Sequence, residues 1–416
     1  MMKKGFVKKG FLKETDGSGG GGAATDIKSG YCLVRNTSAV YGGGNNVSIH
    51  FYFKKDRSKV FYAYSGASGS NSYIRLSQYL PNVNGGITET TKSTKNINIG
   101  QSYKGGSNTY LSLDAKEGLS SDGNPYVITC LANNFSRTDF DAALNIISDS
   151  KILYTDLTSA VMSAPIIISD TKFAAYKINL YDGLISIYDY SDPANIVKTN
   201  INIGRNYIKS IEFINGLIAV CSSVNPTDTN YLSFINPNSG EVVYEEVVAG
   251  IIQSMISADN YLFTLNTWRL GSPKDETPIS VYSVANNIVS KLILEDLTGL
   301  TDITMQNINV IKDDNRGGNV YLCAFGTSNN SCMMLYIDID NLTIGNISLS
   351  ARMLTGNSLM GGNMPAFVSG NFVAYNTITG SNPTTGEIVY FKYEYEDYSI
   401  VWNGKKYLVS EDEIGN

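Results

Sequence analysis

Three stretches of this chain can be written under one another: "NGLIAVCSSVNPTDTNYLSFINPNSGEVVYEEVV", "DNYLFTLNTWRLGSPKDETPISVYSVANNIVSKLIL" and "GNVYLCAFGTSNNSCMMLYIDIDNLTIGNISLS", beginning at Asn215, Asp259 and Gly318. Each opens on a two-residue turn, runs into an apolar strand and crosses a polar connection. It returns in a strand rich in Tyr and Ile, and a second short turn leads to a further strand. An alternating segment precedes each opening turn, so each unit holds four strands. A four-stranded unit of about 40–50 residues cannot bury both of its faces alone, and copies of it must pack against one another.

Looser copies lie on either side, two early ones carrying larger insertions, and the second strands begin near residues 60, 127, 173, 217, 261, 320 and 372. That spacing predicts an all-β fold: a seven-bladed β-propeller of four-stranded antiparallel blades with a flexible N-terminal tail. Residues 1–26 would form the tail and 27–416 the propeller. The phrase "FINPNSGEVV" (234–243) resembles the strand-turn-strand corner of lactonase-like and quinoprotein-like propellers, where an Asp-Pro-X-Thr-Gly turn is common. The resemblance is one of architecture; the Trp-Asp dipeptide of tryptophan–aspartate repeats is absent from the units. A ring needs closing, and the segment "GYCLVRN" (30–36), which precedes the first complete unit, is expected to pair into the last blade. A hairpin turning at Asn403-Gly404 is expected near the other end. Two stacked sheets remain the rival architecture.

In a four-stranded meander the first and third connections lie on one face of the ring, and the second connections and blade-to-blade links lie on the other. The first and third connections read as tight (Asn-Gly, Asp-Asn, Gly-Asn, "PNSG", "ANN"). The second connections read as long and polar ("SGASGSNS", "NNFSRTDFDA", "SSVNPTDTN", "NTWRLGSPKDETP", "GTSNNS", "TITGSNPTTG"), as do the links "NINIGQSYKGG" and "SARMLTGNSLMGGN". Insertions gathered on one face of a repeat fold mark a binding face, although polar connections can also be tolerated surface. The aromatic residues offered there are Trp268, Tyr103 and Tyr41, and Trp268-Arg269 is the best single anchor. Aromatic rings among amides and hydroxyls suit a sugar or a protein surface.

Catalytic residue types are scarce. His50, the only histidine, sits in the alternating strand "NNVSIHFYF", so it reads as a strand residue and Ser-His or Cys-His machinery has nothing else to use. The five cysteines (Cys32, Cys130, Cys221, Cys323, Cys332) have no metal-ligand or redox spacing, and Cys221 and Cys323 read as buried free thiols. "KDDNRGGN" (312–319) lacks the oxygen-ligand spacing of a calcium loop and reads as a turn, while "YEEVV" and "KYEYED" read as solvated strand edges. No cofactor or metal is expected. The chain reads as non-enzymatic, with a carboxylate-based glycan lyase or hydrolase as the alternative.

The tail has its own chemistry. Lys-Lys-Gly-Phe-Val is followed at once by Lys-Lys-Gly-Phe-Leu, then by a glycine-rich stretch ending near Asp26. Five lysines fall within the first thirteen residues; taking them from the 32 basic residues leaves 27 against 38 acidic ones, a charge of −11 on the rest. The body should repel nucleic acid and anionic membrane, and no apolar run suggests a signal peptide or a membrane span. Lys3, Lys4, Phe6, Lys8, Lys9 and Phe11 read as a docking peptide on a flexible leash. A tethered β domain with few charges, no signal peptide and loops rich in Asn, Ser, Gly and Tyr looks like an appendage of a bacteriophage or tail-like particle. That style implies a virion location after synthesis in host cytoplasm, structural particle proteins bound through the tail, and a cell-surface glycan or protein bound through the loops. An intracellular protein-interaction scaffold is the other reading.

Overall fold

The computed structural model describes most residues between 118 and 345 with their side chains, apart from connections such as 156–160, 268–278, 297–304, 314–317 and 328–330; outside that span it describes strand backbones. Among the described residues seven antiparallel sheets of four strands in meander order follow one another, here blades 1 to 7. They span 48–98, 113–155, 166–202, 207–248, 251–292, 305–352 and 366–392. The first strand of each blade lies beside the first strand of the next, from Ser48–Phe51 round to Ala366–Val368. The second strand of blade 7, Phe372–Thr379, comes back against Ser48–Phe51, which closes the ring. The expected propeller stands on this order, and the stacked-sheet rival does not.

The closing strand is where the sequence placed it. Cys32–Val34 pairs antiparallel with Thr385–Lys392, supplying the fourth strand of blade 7, and Val40–Tyr41 pairs further along the same partner. The hairpin around Asn403-Gly404 forms between Ser399–Trp402 and Lys405–Leu408. Lys13–Glu14, inside the segment read as free tail, adds a short strand to that hairpin. His50 is a strand residue, paired with Tyr62. Blade 6 carries an unexpected fifth strand: Glu295–Asp296 pairs parallel with the outer strand Thr343–Arg352.

Strand chemistry explains the packing. Second strands are continuous apolar runs because both of their faces are covered; in Leu217–Ser223 every residue is buried. Outer strands such as Val242–Val248 alternate with exposed positions because only one face meets a neighbour. The core divides into one seam per pair of neighbouring blades. In blade 4, Ile218 and Val220 pack against blade 3, while Leu217, Ala219 and Cys221 pack against blade 5. In blade 3, Phe173 and Ala175 face blade 2, while Ala174 and Tyr176 face blade 4. A slip of one residue would exchange the two seams. The blade 2–blade 3 seam is aromatic, with Phe173 stacked on Tyr188 at 4.8 Å and 15° and Phe135 tilted against both. Cys221 and Cys323 are buried free thiols, as expected; burial pushes the Cys221 thiol up to about 12 and raises that of Cys323 as well.

The tight turns are as read. Asn215, Asp259, Asn286 and Asn287 hold positive φ between 45° and 61°, the left-handed region that suits Asn and Asp in two-residue hairpins. The connection pattern needs one correction. In blades 1 and 2 the stretches "SGASGSNS" and "NNFSRTDFDA" are mostly strand: Ser68 pairs with Asn71 and Leu131 with Asn134, so only 69–70 and 132–133 turn the chain. Their Tyr, Ile, Phe and Thr neighbours extend the ladders through the polar residues. The turn face also carries longer connections, at 52–59 and 140–150. What remains unequal is concentrated in the second connection of blade 5 (268–278) and in the links 99–112, 156–165, 293–304 and 353–365, all on one face.

Candidate functional site

The two faces of the ring end differently. On the turn face, side chains tie neighbouring blades together. Arg137 of blade 2 donates through Nη1 to the carbonyl (2.8 Å) and carboxylate (3.0 Å) of Asp170 in the first turn of blade 3. Its Nε donates to Asp139 at 2.8 Å, and its guanidinium lies 3.8 Å from the centre of the Tyr126 ring. Burial raises the Tyr126 phenol, so it stays protonated and donates to the carbonyl of Ser169. Further round, Asn215 Nδ2 donates to the carbonyl of Val284 at 2.6 Å and Tyr321 Oη to Asp259 at 2.8 Å. These polar groups are engaged within the ring.

On the long-connection face the link between blades 3 and 4 is pinned by Arg205. Its guanidinium makes two bonds to Glu245, at 2.8 and 2.5 Å, and lies 3.8 Å from the centre of the Tyr231 ring. Ser233 Oγ donates to the same carboxylate at 2.8 Å. The Arg205 bonds hold the Glu245 carboxyl below the usual range. A folded pKa below the unfolded one contributes stability above the unfolded value, near 4.3, and that contribution is lost as pH falls through the folded value. Acid titration of the intact chain and of Glu245→Gln, followed by circular dichroism, should therefore show their full separation above about pH 4.3 and converge as the pH falls through the lower folded value.

Next to this link the first strand of blade 4 contains a β-bulge. Ile208 pairs with Ser222 and Ser210 with Cys221, which leaves Lys209 as the extra residue. Blades 5 and 6 repeat it: Gln253 falls between the pairs of Ile252 and Ser254, and Asn307 between those of Gln306 and Ile308. "YIK", "IIQ" and "MQN" occupy the same three positions of their units, so three polar residues stand at equivalent bulges in the axial strands, all at the long-connection end. Bulges re-aim side chains and gather next to functional sites.

Around Lys209 the blade 4–blade 5 seam changes character. Towards the turn face it is an apolar cluster of Leu217, Phe234, Leu262, Tyr282 and their neighbours. Towards the long-connection face it holds Ser223, Asn230, Thr264, Asn266 and Ser280, all buried. Lys209 Nζ donates to Asn230 Oδ1, and Asn230 Nδ2 donates to the carbonyl of Gly250 in the next link. Asn266 Nδ2 donates to Ser280 Oγ at 3.0 Å. Tyr176 Oη, from blade 3, donates to the carbonyl of Lys209 at 2.6 Å. Ser222 and Ser223 close the second strand at this end, and their hydroxyls are buried without a hydrogen-bond partner among the described residues. The arrangement is rich in hydrogen-bond donors and can hold an acceptor group. Among the described residues no group of three or more His, Cys, Asp or Glu is placed to hold a metal.

The sequence-derived site residues are only partly visible here. Trp268, Arg269 and Tyr103 lie outside the described residues, as do Lys3, Lys4, Phe6, Lys8, Lys9 and Phe11. Tyr41 is described by its backbone alone, which pairs with Thr385 at the long-connection end of blade 7. Lys209, Asn230, Ser222, Ser223 and Arg205 were not singled out from sequence. A signal for Lys209 existed: Ile208, Ile211 and Phe213 all pack towards blade 3, though their spacing is not a multiple of two throughout.

No family model matches this chain, and no curated protein does. Solved propellers resemble it. The β-propeller domain of Myceliophteria thermophila Cps50 (Swd1) is 13% identical with a TM-score of 0.49, covering 85% of this chain and 99% of that one. Kluyvelomyces marxianus Hsv2 is 12% identical with a TM-score of 0.46, covering 89% and 98%. Kluyveromyces lactis Hsv2p is 12% identical with a TM-score of 0.41, covering 78% and 87%. All three are similar to this chain at the level of the fold, and the propeller architecture described above stands on the chain's own sheet order.

Proposed function

We propose that this chain is a non-enzymatic propeller that acts as an interaction module, presenting its long-connection face to a protein partner. The observation that carries this reading is the end of the blade 4–blade 5 seam on the long-connection face: Ser223, Asn230, Thr264, Asn266 and Ser280 are buried there and the Ser223 hydroxyl has no hydrogen-bond partner among the described residues, whereas Arg137, Asn215 and Tyr321 of the turn face are engaged between blades. The particle-borne, glycan-binding reading rests on the tail and on composition, and nothing in the comparisons bears on it.

Photo-cross-linking residues placed at 268, which follows the strand end at Thr267, and at 238, on the turn face, test the assignment. Cross-links to a protein from position 268 and none from 238 are expected. Trp268→Ala should weaken that partner's binding by about 2 kcal/mol or more and leave the thermal midpoint unchanged. Cross-links from position 238 alone, or a carbohydrate as the captured species, would replace the reading.

A further inference from the structure

We propose that the N-terminal segment 3–12 of this chain docks on the turn face of its own ring, with Phe6 and Phe11 against Ile288 and Leu342 and its lysines along the carboxylates of blades 5 and 6. The inference concerns the face opposite to the one assigned to a protein partner above, and neither reading depends on the other.

The surface has a repeated apolar feature. Val197, Val242 and Ile288 open the outer strands of blades 3, 4 and 5, and Leu342 directly precedes that of blade 6. All four follow the third connection, on the turn-face rim, and all are exposed, at 54%, 44%, 68% and 40%. Single exposed aliphatic residues are ordinary, but one at the same position of four successive blades forms a row. Leu342 also holds φ at 57°, the left-handed region, where the third connections of blades 4 and 5 place Gly240 and Asn287. A leucine there carries backbone strain that asparagine or glycine would relieve, and strain that is kept points to a use for the side chain.

Charge sets the kind of occupant. Among the described residues, the first and third connections of the ring hold no lysine or arginine. Blades 5 and 6 add Asp259, Asp338 and Asp340 at this end, and these carboxylates accept from neutral groups: Asp259 from Tyr321, Asp340 from Asn319 and Asp338 from Asn341. Neutral donors leave the negative charges standing; the Asn319 bonds hold the Asp340 carboxyl below the usual range, and Lys312 adds less. A matching occupant is apolar and cationic. "KKGFVKKGFL" (3–12) is both, twice over: each unit carries two lysines and a Phe followed by Val or Leu.

Chain direction leads the segment to this face. Cys32 and Phe372 both pair with Lys392, and Phe372 follows the first connection of blade 7, so the chain reaches the closing strand from the turn side. On the same side Lys392 leads through 393–398 to the hairpin of Ser399–Trp402 and Lys405–Leu408, to which Lys13–Glu14 is paired. Ten extended residues span up to about 33–36 Å, and packed sheets lie about 10 Å apart, so segment 3–12 can cross two blades. Of the two neighbours of blade 7, blade 1 has Lys54, Lys55, Arg57 and Lys59 in the sequence of its first connection, which repels lysines. Blade 6 and then blade 5 are left, and Leu342 and Ile288 receive the two copies of the unit. The tether supplies a high effective concentration, so each contact can be weak.

The test places benzoylphenylalanine at position 6 of the full chain. Irradiation in about 50 mM salt should cross-link it within the same molecule to the third connections of blades 5 and 6, and about 0.5 M salt should lower the yield about fivefold. Lys3→Glu, Lys4→Glu, Lys8→Glu and Lys9→Glu together should abolish the cross-link, and Arg at the same four positions should keep it. Ile288→Thr with Leu342→Asn should lower the yield about fivefold with the thermal midpoint no lower, because Thr suits a strand and Asn suits positive φ. Cross-links to the long-connection segments, a yield indifferent to salt, or no cross-link within the ring overturns the proposal. So does a cross-link between light and heavy isotope-labelled copies, because the segment would then bind a second molecule. Cross-linking from position 268 to another protein is read separately, so either proposal can fail alone.

Discussion

Removing residues 1–36 should lower the thermal midpoint by about 3–4 °C, while removing 1–29 should move it by less than about 1 °C. The difference isolates Cys32–Val34, which forms the outer strand of blade 7 and joins the two ends of the chain. Without it, the Tyr390–Lys392 end of that strand becomes an open edge with unpaired backbone groups, and Val40–Tyr41 covers only its other end. A strand of this length contributes on the order of 3 kcal/mol through its backbone bonds and the apolar area it covers. In a chain of this size each kcal/mol moves the midpoint by about 1 °C. Calorimetry of the intact chain should show one cooperative transition, because every blade shares both of its faces with neighbours. Two resolved transitions in the intact chain, or an unchanged midpoint after removal of 1–36, would show that closure does not hold the ring.

Gly183→Ala should destabilise the fold by about 3 kcal/mol or more, and Gly204→Ala by about 1 kcal/mol. Both glycines hold positive φ, 59° and 71°, so both substitutions carry the same backbone strain. They differ in space. A Cβ on Gly183 would lie 1.8 Å from the carbonyl oxygen of Arg205, a backbone atom fixed by the Ile203 N–H to Gly183 carbonyl bond and by the Arg205–Glu245 pair. A Cβ on Gly204 would meet nothing within 4 Å. Gly183 is therefore the point where the second connection of blade 3 and the link into blade 4 cross at backbone contact, directly beside the candidate site. Chemical denaturation of the two variants measures the difference; equal losses would mean that the link moves aside freely.

How much of this was legible beforehand follows from the range of the forces involved. Turn chemistry is local: Asn215-Gly216, Asp259-Asn260 and Asn286-Asn287 need positive φ, and Asn, Asp and Gly tolerate it wherever they stand. Apolar runs such as "LIAVC" and "VYLCAF" announce strands covered on both faces. Repeated at one spacing, these signals imply copies that must stack, and hence a ring. With a strand left over at one end, they also imply its closure by Cys32–Val34. The sequence by itself therefore determined the class of fold, the order of the strands and the way the ring is closed.

Tertiary structure decided what depends on registration between distant strands. Whether "SGASGSNS" turns or stays in the ladder was settled by the partner it found, since the strands on both sides gain hydrogen bonds by running on to Ser68 and Asn71. Which seam Ile211 enters depends on the extra residue at Lys209, and a bulge costs too little locally to leave a strong sequence mark. The parallel strand Glu295–Asp296 exists only because the edge of blade 6 lies where the link passes. The candidate site belongs to this second kind. Lys209, Asn230 and Ser223 are unremarkable residues of three different strands, and only the bulge and the packing of blade 4 against blade 5 bring their polar groups to one buried end.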